Sequence, residues 1–384
     1  MCRRTRQTTR PESRSLKPYK LETAALYLGA AGLGLAHGLV PQLILLGCAI
    51  YRLGVDPEAR RLRLTLSNGV LLALGAWMLL STIPAVSRFD AWGGTVGMAL
   101  SVWVTLAAIS RVMADTNGLG GRLVKVFLAS ATLGAIYALS RFAVFLTKHV
   151  GLPRAELPFA GCNAAGTVLA AAVLVALGCL KTTKRSERVM LTAAIPILVA
   201  ALIATQSRGA FVALVAGLAV FGLRSKRRLV LGLIPLTVLL AVFIQVYPPV
   251  ASRYASILSP MANKDRLEIW RTALLMIRDH PVLGIGVNNF EDVYLHYPHP
   301  DVFNGSQPFA HNVFLEIGAA AGIPGLLAFV ALVVTAIRAG LQAWGRPGVG
   351  HVAAVALAVF AALLAHLQFD LTLYSGNLLP LFFS

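Results

Sequence analysis

Four side chains in the second half of the sequence are of types that carry acid–base and anion chemistry. Arg208, Arg266 and Arg271 are guanidinium groups, whose planar fork of N–H donors suits phosphate or carboxylate. His311 is an imidazole, which can accept a proton near neutral pH. Anion binding and proton transfer are the chemistry that these residue types would supply, and a structural role is the alternative for each of them.

Arg208 is notable for its position in the hydrophobicity profile. The polar break Thr205–Gly209 has only a few residues and separates two long apolar runs. A charge near the hydrocarbon costs roughly 2.5 to 3.5 kcal/mol at the centre of a bilayer, and less near the interface. Arg208 therefore either has a partner or a function, or extends its head group to the interface.

Arg266 and Arg271 lie on a segment with helical spacing of apolar residues, but five positions apart, so they do not share one stripe. Asp265 and Glu268 are close enough in sequence to neutralise them in a surface salt-bridge network. The alternative is that this helix presents guanidinium groups to an anionic ligand. The spacing alone leaves both interpretations open.

His311 precedes an apolar run. If Pro308 opens the helix, His311 lies in its first turn, where the macrodipole disfavours imidazolium and leaves a neutral ring able to act as a base. The alternative is that His311 only caps the helix. Glu316 is a candidate partner, although its spacing places it on another face, and Asn312 and Arg141 are further candidate supporting residues.

The elements that position these residues are membrane helices. The 384 residues are 57% apolar and 13% charged, with a mean hydropathy of +0.73, which excludes an ordinary soluble domain. The fold class is all-α, a polytopic integral membrane protein with about 12 transmembrane helices. The predicted spans are 21–37, 39–51, 64–82, 92–110, 123–146, 160–180, 189–205, 209–223, 229–247, 311–337, 350–368 and 372–384.

The charge distribution gives an orientation. The first 20 residues carry seven Lys and Arg residues, and placing them in the cytoplasm puts most of the 34 basic residues on that side. The net charge of +18 is therefore mainly a topology signal, and nucleic acid is not an expected partner. The remaining basic residues in outer polar breaks are interpreted as solvated loop charges: Arg88, Lys148, Arg154 and Arg253.

This orientation divides the chain into four parts: a basic cytoplasmic tail at 1–20, transmembrane helices one to nine at 21–247, a periplasmic loop at 248–310, and helices ten to twelve at 311–384. The loop is too long for a plain connector, so it is the default place for function. Within it, residues 264–279 have the pattern of an amphipathic interfacial helix that ends at His280–Pro281.

Metal and cofactor signals are weak. The four cysteines lack metal-ligand spacing, and His296 and His299 have no third ligand nearby, so neither a metal nor a cofactor is expected. His366 and Asp370 are four residues apart and could pair on one face, for which a structural hydrogen bond is as good an explanation as catalysis. Gly318, Gly322 and Gly325 are interpreted as close-packing sites between helices.

The ordered motifs resemble those of the O-antigen ligases and their relatives, the O-antigen polymerases and O-linked protein oligosaccharyltransferases. His311-Asn312, nine residues, Gly322, two residues and Gly325 reproduce their His-Asn-x9-Gly-x2-Gly pattern. The resemblance covers residues 160 to 340. Its other motifs are Asn163-x2-Gly166, Ser207-Arg208-Gly209-Ala210, Asp265-Arg266-x3-Trp270-Arg271 and His280-Pro281-x2-Gly284-x-Gly286-x2-Asn289-Phe290.

The resemblance implies a metal-independent membrane glycosyltransferase of the GT-C class in the bacterial inner membrane, with its active site facing the periplasm. The donor would be O-antigen on undecaprenyl pyrophosphate and the acceptor a sugar hydroxyl of lipid A-core, with inversion at the anomeric carbon. His311 would be the base, and Arg208 and Arg266, with Arg271 less firmly, would hold the pyrophosphate. The alternatives are a polymerase that extends the donor, and a transporter of the same lipid, which would show repeat symmetry.

Overall fold

The computed structural model describes residues 16–34, 66–97, 99, 118–148, 154–298 and 307–371. Throughout these ranges the regular structure is helical, and the β-type pairing within them is an isolated bridge between Leu157 and Ala160. The all-helical fold class predicted from the sequence is therefore confirmed for this part of the chain.

The helices are numbered here in chain order. They are α1 Leu16–Gly34, α2 Leu66–Leu80, α3 Leu119–Lys148, α4 Cys162–Cys179, α5 Arg185–Ala204, α6 Arg208–Arg224, α7 Lys226–Val246, α8 Pro249–Ala255, α9 Lys264–Asp279, α10 Phe290–Tyr294, α11 Val313–Trp344 and α12 Gly350–His366. Residues 88–97 are also helical, and two short 3-10 turns, Ser256–Leu258 and Met261–Asn263, lie between α8 and α9.

Several of these helices have the length and composition of membrane spans. Helices α3, α4, α5, α7 and α11 are long and apolar enough to cross a bilayer, and α2, α6 and α12 contain shorter apolar stretches. The chain is thus a multi-pass membrane protein. The predicted spans 39–51 and 372–384 and most of 92–110 lie outside the described residues, so the total of about twelve stays a prediction.

Helix α4 is the centre of the bundle, and it contacts α5, α6 and α12. It is buried along most of its length because its face is built from alanine, glycine and valine, which let neighbouring backbones approach closely. A Cβ atom on Gly166 would lie 2.6 Å from the Cβ of Ala210. This close approach places the first turn of α4, with Asn163, beside the junction of α5 and α6.

Helix α11 is broken near its middle. Gly322 has φ 67° and ψ −173°, which interrupts the helix, and Pro324 has no N–H to donate to the carbonyl of Ala320. The freed carbonyl groups find other donors. They are Ala319 O, which accepts from Ile285 N at 2.8 Å, Ala320 O, which accepts from Gly286 N at 2.9 Å, and Ala321 O, which accepts from Trp77 Nε1 at 2.9 Å.

The segment after α9 docks into this break. Ile323 N donates to Pro281 O at 2.8 Å, and a side chain at Gly322 would overlap the Val282 carbonyl oxygen. A few residues further on, the buried Asn289 amide is bonded to both backbone groups of Ser87, at 2.6 and 3.2 Å. Gly322 is a close-packing site as predicted, but its neighbour is the non-helical segment after α9 and not another helix. The contact anchors the C-terminal end of α9 to the bundle.

Candidate functional site

His311 does not lie in the first turn of a helix, because Pro308 does not open α11. The Asn312 side chain accepts hydrogen bonds from Phe314 N at 3.0 Å and Leu315 N at 3.2 Å, so the helix begins at Val313 with Asn312 as its N-cap. His311 precedes this cap with φ 51°. A non-glycine residue in this left-handed region carries backbone strain, which is often found at functional sites.

The partner of His311 is Asp370, which follows α12. His311 Nδ1 lies 3.5 Å from Asp370 Oδ1, and both side chains are largely shielded from solvent. Burial by itself raises the pKa of Asp370, but the close contact with His311 and the positive charges of His366 and Arg266 outweigh it, so the pKa lies below its ordinary value. Asp370 is therefore an ionised carboxylate that can orient the imidazole.

Glu316, the partner suggested by sequence, has a different contact. Its carboxylate is buried and accepts a hydrogen bond from the backbone N–H of Ala310 at 2.7 Å. This bond fixes the backbone immediately before His311. Asn312 caps α11 and also donates to the side-chain oxygen of Gln368 at 3.2 Å, which ties the start of α11 to the segment after α12. Both residues support the position of His311 through the backbone.

His366 is buried beside this pair without a side-chain hydrogen bond to Asp370. The two residues are joined through the backbone, where Asp370 N donates to His366 O at 3.1 Å. Neither ring nitrogen of His366 has a hydrogen-bond partner among the residues that the structure describes. The side-chain pairing suggested by their four-residue spacing is not formed, because Asp370 turns toward His311 and Asn163 instead.

Arg208 and Arg266, two of the predicted arginines, belong to one group of charges. Arg208 begins α6, and its guanidinium donates to Ser256 O at 3.2 Å and Ala262 O at 3.3 Å. Arg266 lies in the first turn of α9, and its charge acts on Asp370. The N-terminal ends of α6 and α9 thus meet at the same end of the bundle as the His311–Asp370 pair.

Two more arginines complete this group, and the prediction that both are solvated loop charges is wrong. Arg154 Nε donates to Thr205 O at 2.9 Å, and Arg253 Nε donates to Gln206 O at 3.4 Å, so both hold the junction between α5 and α6. Gln206 has φ 52° at this junction. Both arginines are only partly exposed. We call Arg154, Arg208, Arg253 and Arg266 the arginine cluster.

The arginine cluster has an excess of positive charge. Burial lowers the pKa of Arg266, Asp370 opposes this effect, and the charges of Arg253 and Arg154 lower it further. The pKa of Arg253 is likewise lowered by burial first and then by Arg154 and Arg208. Within the described chain no carboxylate forms an ion pair with Arg208 or Arg253, and Asp370 is the carboxylate whose charge acts on Arg266, so repulsion between the guanidinium groups is only partly relieved. A bound anion would relieve it further.

The other two predicted arginines lie elsewhere. The Arg271 side chain is 76% exposed, and its Nη1 is 3.7 Å from Glu268 of the same helix. Arg141 is exposed on α3, where it lies 3.3 Å from the Tyr137 hydroxyl and over the ring of Phe145. Neither residue joins the arginine cluster, so for Arg271 the surface-pair interpretation describes its position.

The residues missed by sequence reasoning had one usable signal. Arg154 and Arg253 are among the few basic residues that the charge distribution leaves on the outer side. Lys and Arg are uncommon there, so each of them was a candidate for a specific role. The sequence named Asp370 as a possible partner of His366 and Asn163 as part of a family motif. It gave no sign that the two lie together beside His311, because that depends on how α4 and α12 pack. For the suggested His296–His299 pair, His299 lies outside the described residues, and no group of three or more His, Cys, Asp or Glu suited to a metal occurs within them.

Comparison with protein families bears on this arrangement directly. Residues 193–330 match the family model described as O-antigen ligase. This match covers about a third of the chain and makes the region similar to O-antigen ligases. A search of curated proteins finds no significant match to the chain. The O-antigen ligase region runs from within α5 to within α11 and contains Arg208, Arg253, Arg266 and His311, whereas Asp370 lies after it.

The region similar to O-antigen ligases does not contain every residue of the site. The match also shows which contacts come from outside the family region. Arg154 and Asn163 precede it, yet both reach the site through α4 and the segment before it.

Proposed function

We propose that this protein is an O-antigen ligase that transfers O-antigen from undecaprenyl pyrophosphate to a sugar hydroxyl of lipid A-core. The observation that carries the proposal is the arginine cluster, four guanidinium groups that lie close together, with Arg266 acting on the Asp370 carboxylate that is paired with His311. The proposal places the site at the periplasmic face of the inner membrane, in a GT-C fold of about twelve spans with a cytoplasmic N-terminus, as the charge distribution indicates.

The arginine cluster suits the donor. When the bond between the anomeric carbon and the pyrophosphate oxygen breaks, negative charge develops on the leaving pyrophosphate. Guanidinium groups fixed by backbone carbonyls, as Arg208 is by Ser256 and Ala262, are preorganised for this charge. Removing one such donor costs about 2.7 to 4 kcal/mol in related cases of transition-state stabilisation.

The His311–Asp370 pair suits the acceptor. With Asp370 beside Nδ1, the proton of a neutral imidazole is held on Nδ1, and Nε2 is left to accept a proton. The acceptor hydroxyl oxygen attacks the anomeric carbon, its proton passes to His311 Nε2, and the electrons of the broken bond leave with undecaprenyl pyrophosphate. Direct displacement inverts the anomeric configuration, and general base catalysis contributes roughly 10²- to 10⁴-fold.

Arginine supplies the positive charge in this scheme, so the proposed reaction is metal-independent. A guanidinium group stays charged at any physiological pH and binds phosphate in a bidentate way. We expect full activity in EDTA, and a strict requirement for an added divalent ion would contradict this part of the proposal.

The decisive experiment combines purified protein, a lipid-linked O-antigen and rough lipopolysaccharide. A ligase produces smooth lipopolysaccharide, visible as a ladder on a gel. A polymerase would instead lengthen the donor without using lipopolysaccharide, and a transporter would form no covalent product. Donor recognition is measured separately as the rise in melting temperature with inorganic pyrophosphate, because a ligand that binds the folded state stabilises it.

A further inference from the structure

Asn163 lies between the arginine cluster and the His311–Asp370 pair. Arg154 Nη2 donates a hydrogen bond to Asn163 Oδ1 at 3.2 Å, and Asn163 Nδ2 donates a hydrogen bond to Asp370 Oδ2. The other carboxylate oxygen of Asp370, Oδ1, lies 3.5 Å from His311 Nδ1. A continuous path of polar contacts therefore runs from a cluster arginine to the imidazole.

The side-chain amide is chemically matched to this place. It is neutral, and it accepts from a cation on one side and donates to a carboxylate on the other. An aspartate would present a second carboxylate oxygen to Asp370, and an aliphatic side chain would leave both the guanidinium and the carboxylate without this partner. The contacts also fix the amide orientation, with Oδ1 toward Arg154 and Nδ2 toward Asp370.

The local structure holds Asn163 in this position. It is in the first turn of α4, where Gly166 allows close approach to Ala210, and Arg154 is itself held by the Thr205 carbonyl. The N-cap of α4 is Gly161, without a side-chain cap. The Asn163 side chain therefore does not serve the start of its own helix, and its two hydrogen bonds both serve the site.

We infer that Asn163 is a positioning residue, which holds the Asp370 carboxylate in the orientation that aligns His311 and links it to the arginines that bind the pyrophosphate. The inference rests on the proposed function. Asn163 contacts no reacting atom in this scheme and acts through Asp370. Its loss should therefore lower kcat while the KM for the donor changes little.

The test compares three variants in the purified ligation assay. Asn163→Ala should lower kcat by about 10- to 100-fold, by analogy with hydrogen-bond partners that orient the ligands of a catalytic metal. Asp370→Asn should lower kcat as well, and adding Asn163→Ala to it should cost less than about twofold more, because both changes remove the same alignment. Cys162→Ala is the matched control, since it alters the neighbouring residue without removing either amide contact.

The pH dependence gives a second readout, which tests whether position 163 acts on the charge of the His311–Asp370 pair. Asn163→Asp adds a negative charge beside Asp370, in surroundings that contain Arg154, Arg266, His311 and His366. An added negative charge near His311 favours its protonated form, which cannot act as a base. The acid limb of the kcat profile should therefore move to higher pH, while the profile of Cys162→Ala stays with that of the wild type.

The outcomes distinguish a failure of the proposed ligase function from a failure of the proposed role of Asn163. If the wild-type protein forms no smooth product, the proposed function fails. If the wild type is active and the Asn163 variants keep its kcat and acid limb, the positioning role is overturned. Losses that multiply in the double variant would also overturn it, since Asn163 would then not act through Asp370. Should Asn163→Ala fail to fold, Asn163→Asp, which keeps the side-chain volume, decides the matter by its pH profile.

Discussion

The two ends of the His-Asn-x9-Gly-x2-Gly segment serve different purposes. At the glycine end, the carbonyls freed by the break at Gly322 are paired with the 285–286 backbone and the Trp77 indole. At the histidine end, His311 is strained and faces a site with more guanidinium groups than carboxylates. One motif therefore combines a docking site, whose freed carbonyl groups are hydrogen-bonded within the protein, with a site whose positive charges outnumber its negative ones. Substitutions at the two ends should fail in different ways.

His311→Ala should have the largest effect on activity. We expect kcat to fall by about 10² to 10⁴, the range for loss of a general base, with little change in melting temperature or in stabilisation by pyrophosphate. The measurement is the rate of smooth lipopolysaccharide formation alongside a thermal melt. His280→Ala removes an exposed imidazole at the far end of α9 and serves as the control. Retained turnover in His311→Ala would remove this residue from the mechanism.

Arg266 and Arg271 form a matched pair on one helix. Arg266→Ala should lower the transfer rate by about 10²- to 10³-fold and reduce stabilisation by pyrophosphate, because it removes a charge that faces the site. Arg271→Ala should stay within about twofold of wild type, since its side chain is exposed and paired with Glu268. Equal losses in the two variants would mean that the arginine cluster has been assigned wrongly.

Gly322→Ala tests the docking end. The substitution places a side chain where φ is 67° and where it would overlap the Val282 carbonyl. We expect a loss of about 2 to 5 kcal/mol in the free energy of unfolding, from the left-handed conformation and from overpacking. Activity per folded molecule should stay near wild type. Gly345→Ala, where an added Cβ meets nothing within 4 Å, is the control. A melting temperature equal to that of Gly345→Ala would contradict the docking role.

Hydrophobic patterning predicted the fold well. The helix expected at 264–279 has the observed bounds Lys264–Asp279, because a proline follows it and its apolar residues recur at helical spacing. The apolar runs likewise coincide with α3, α5 and α7. These features depend on local sequence, which can be interpreted without knowing what a helix packs against. Whether the 264–279 helix lies at the outer interface stays a prediction.

The site was predicted only in part, because it is built from contacts distant in sequence. Depth in the hydrophobicity profile singled out Arg208 correctly as a residue with partners. It gave no means to tell Arg266 from Arg271, since only the docking of α9 decides which of them faces Asp370. The start of α11 was misplaced because the Asn312 side chain caps it, and this local competition outweighs the preference of proline for a first turn.

The smallest expected effect is a difference between the two ends in how their contribution to melting temperature depends on pH. The pKa of Asp370 is lowered in the folded protein, so its carboxylate stabilises the fold at pH values above its ordinary pKa of 3.8. That contribution is lost as the pH falls through the lowered folded value. The gap in melting temperature between wild type and Asp370→Asn should therefore narrow on acidification below about pH 4. The gap for Gly322→Ala should stay constant, because no charge is involved. Two gaps that both remain constant would show that Asp370 is not held as an ion beside His311.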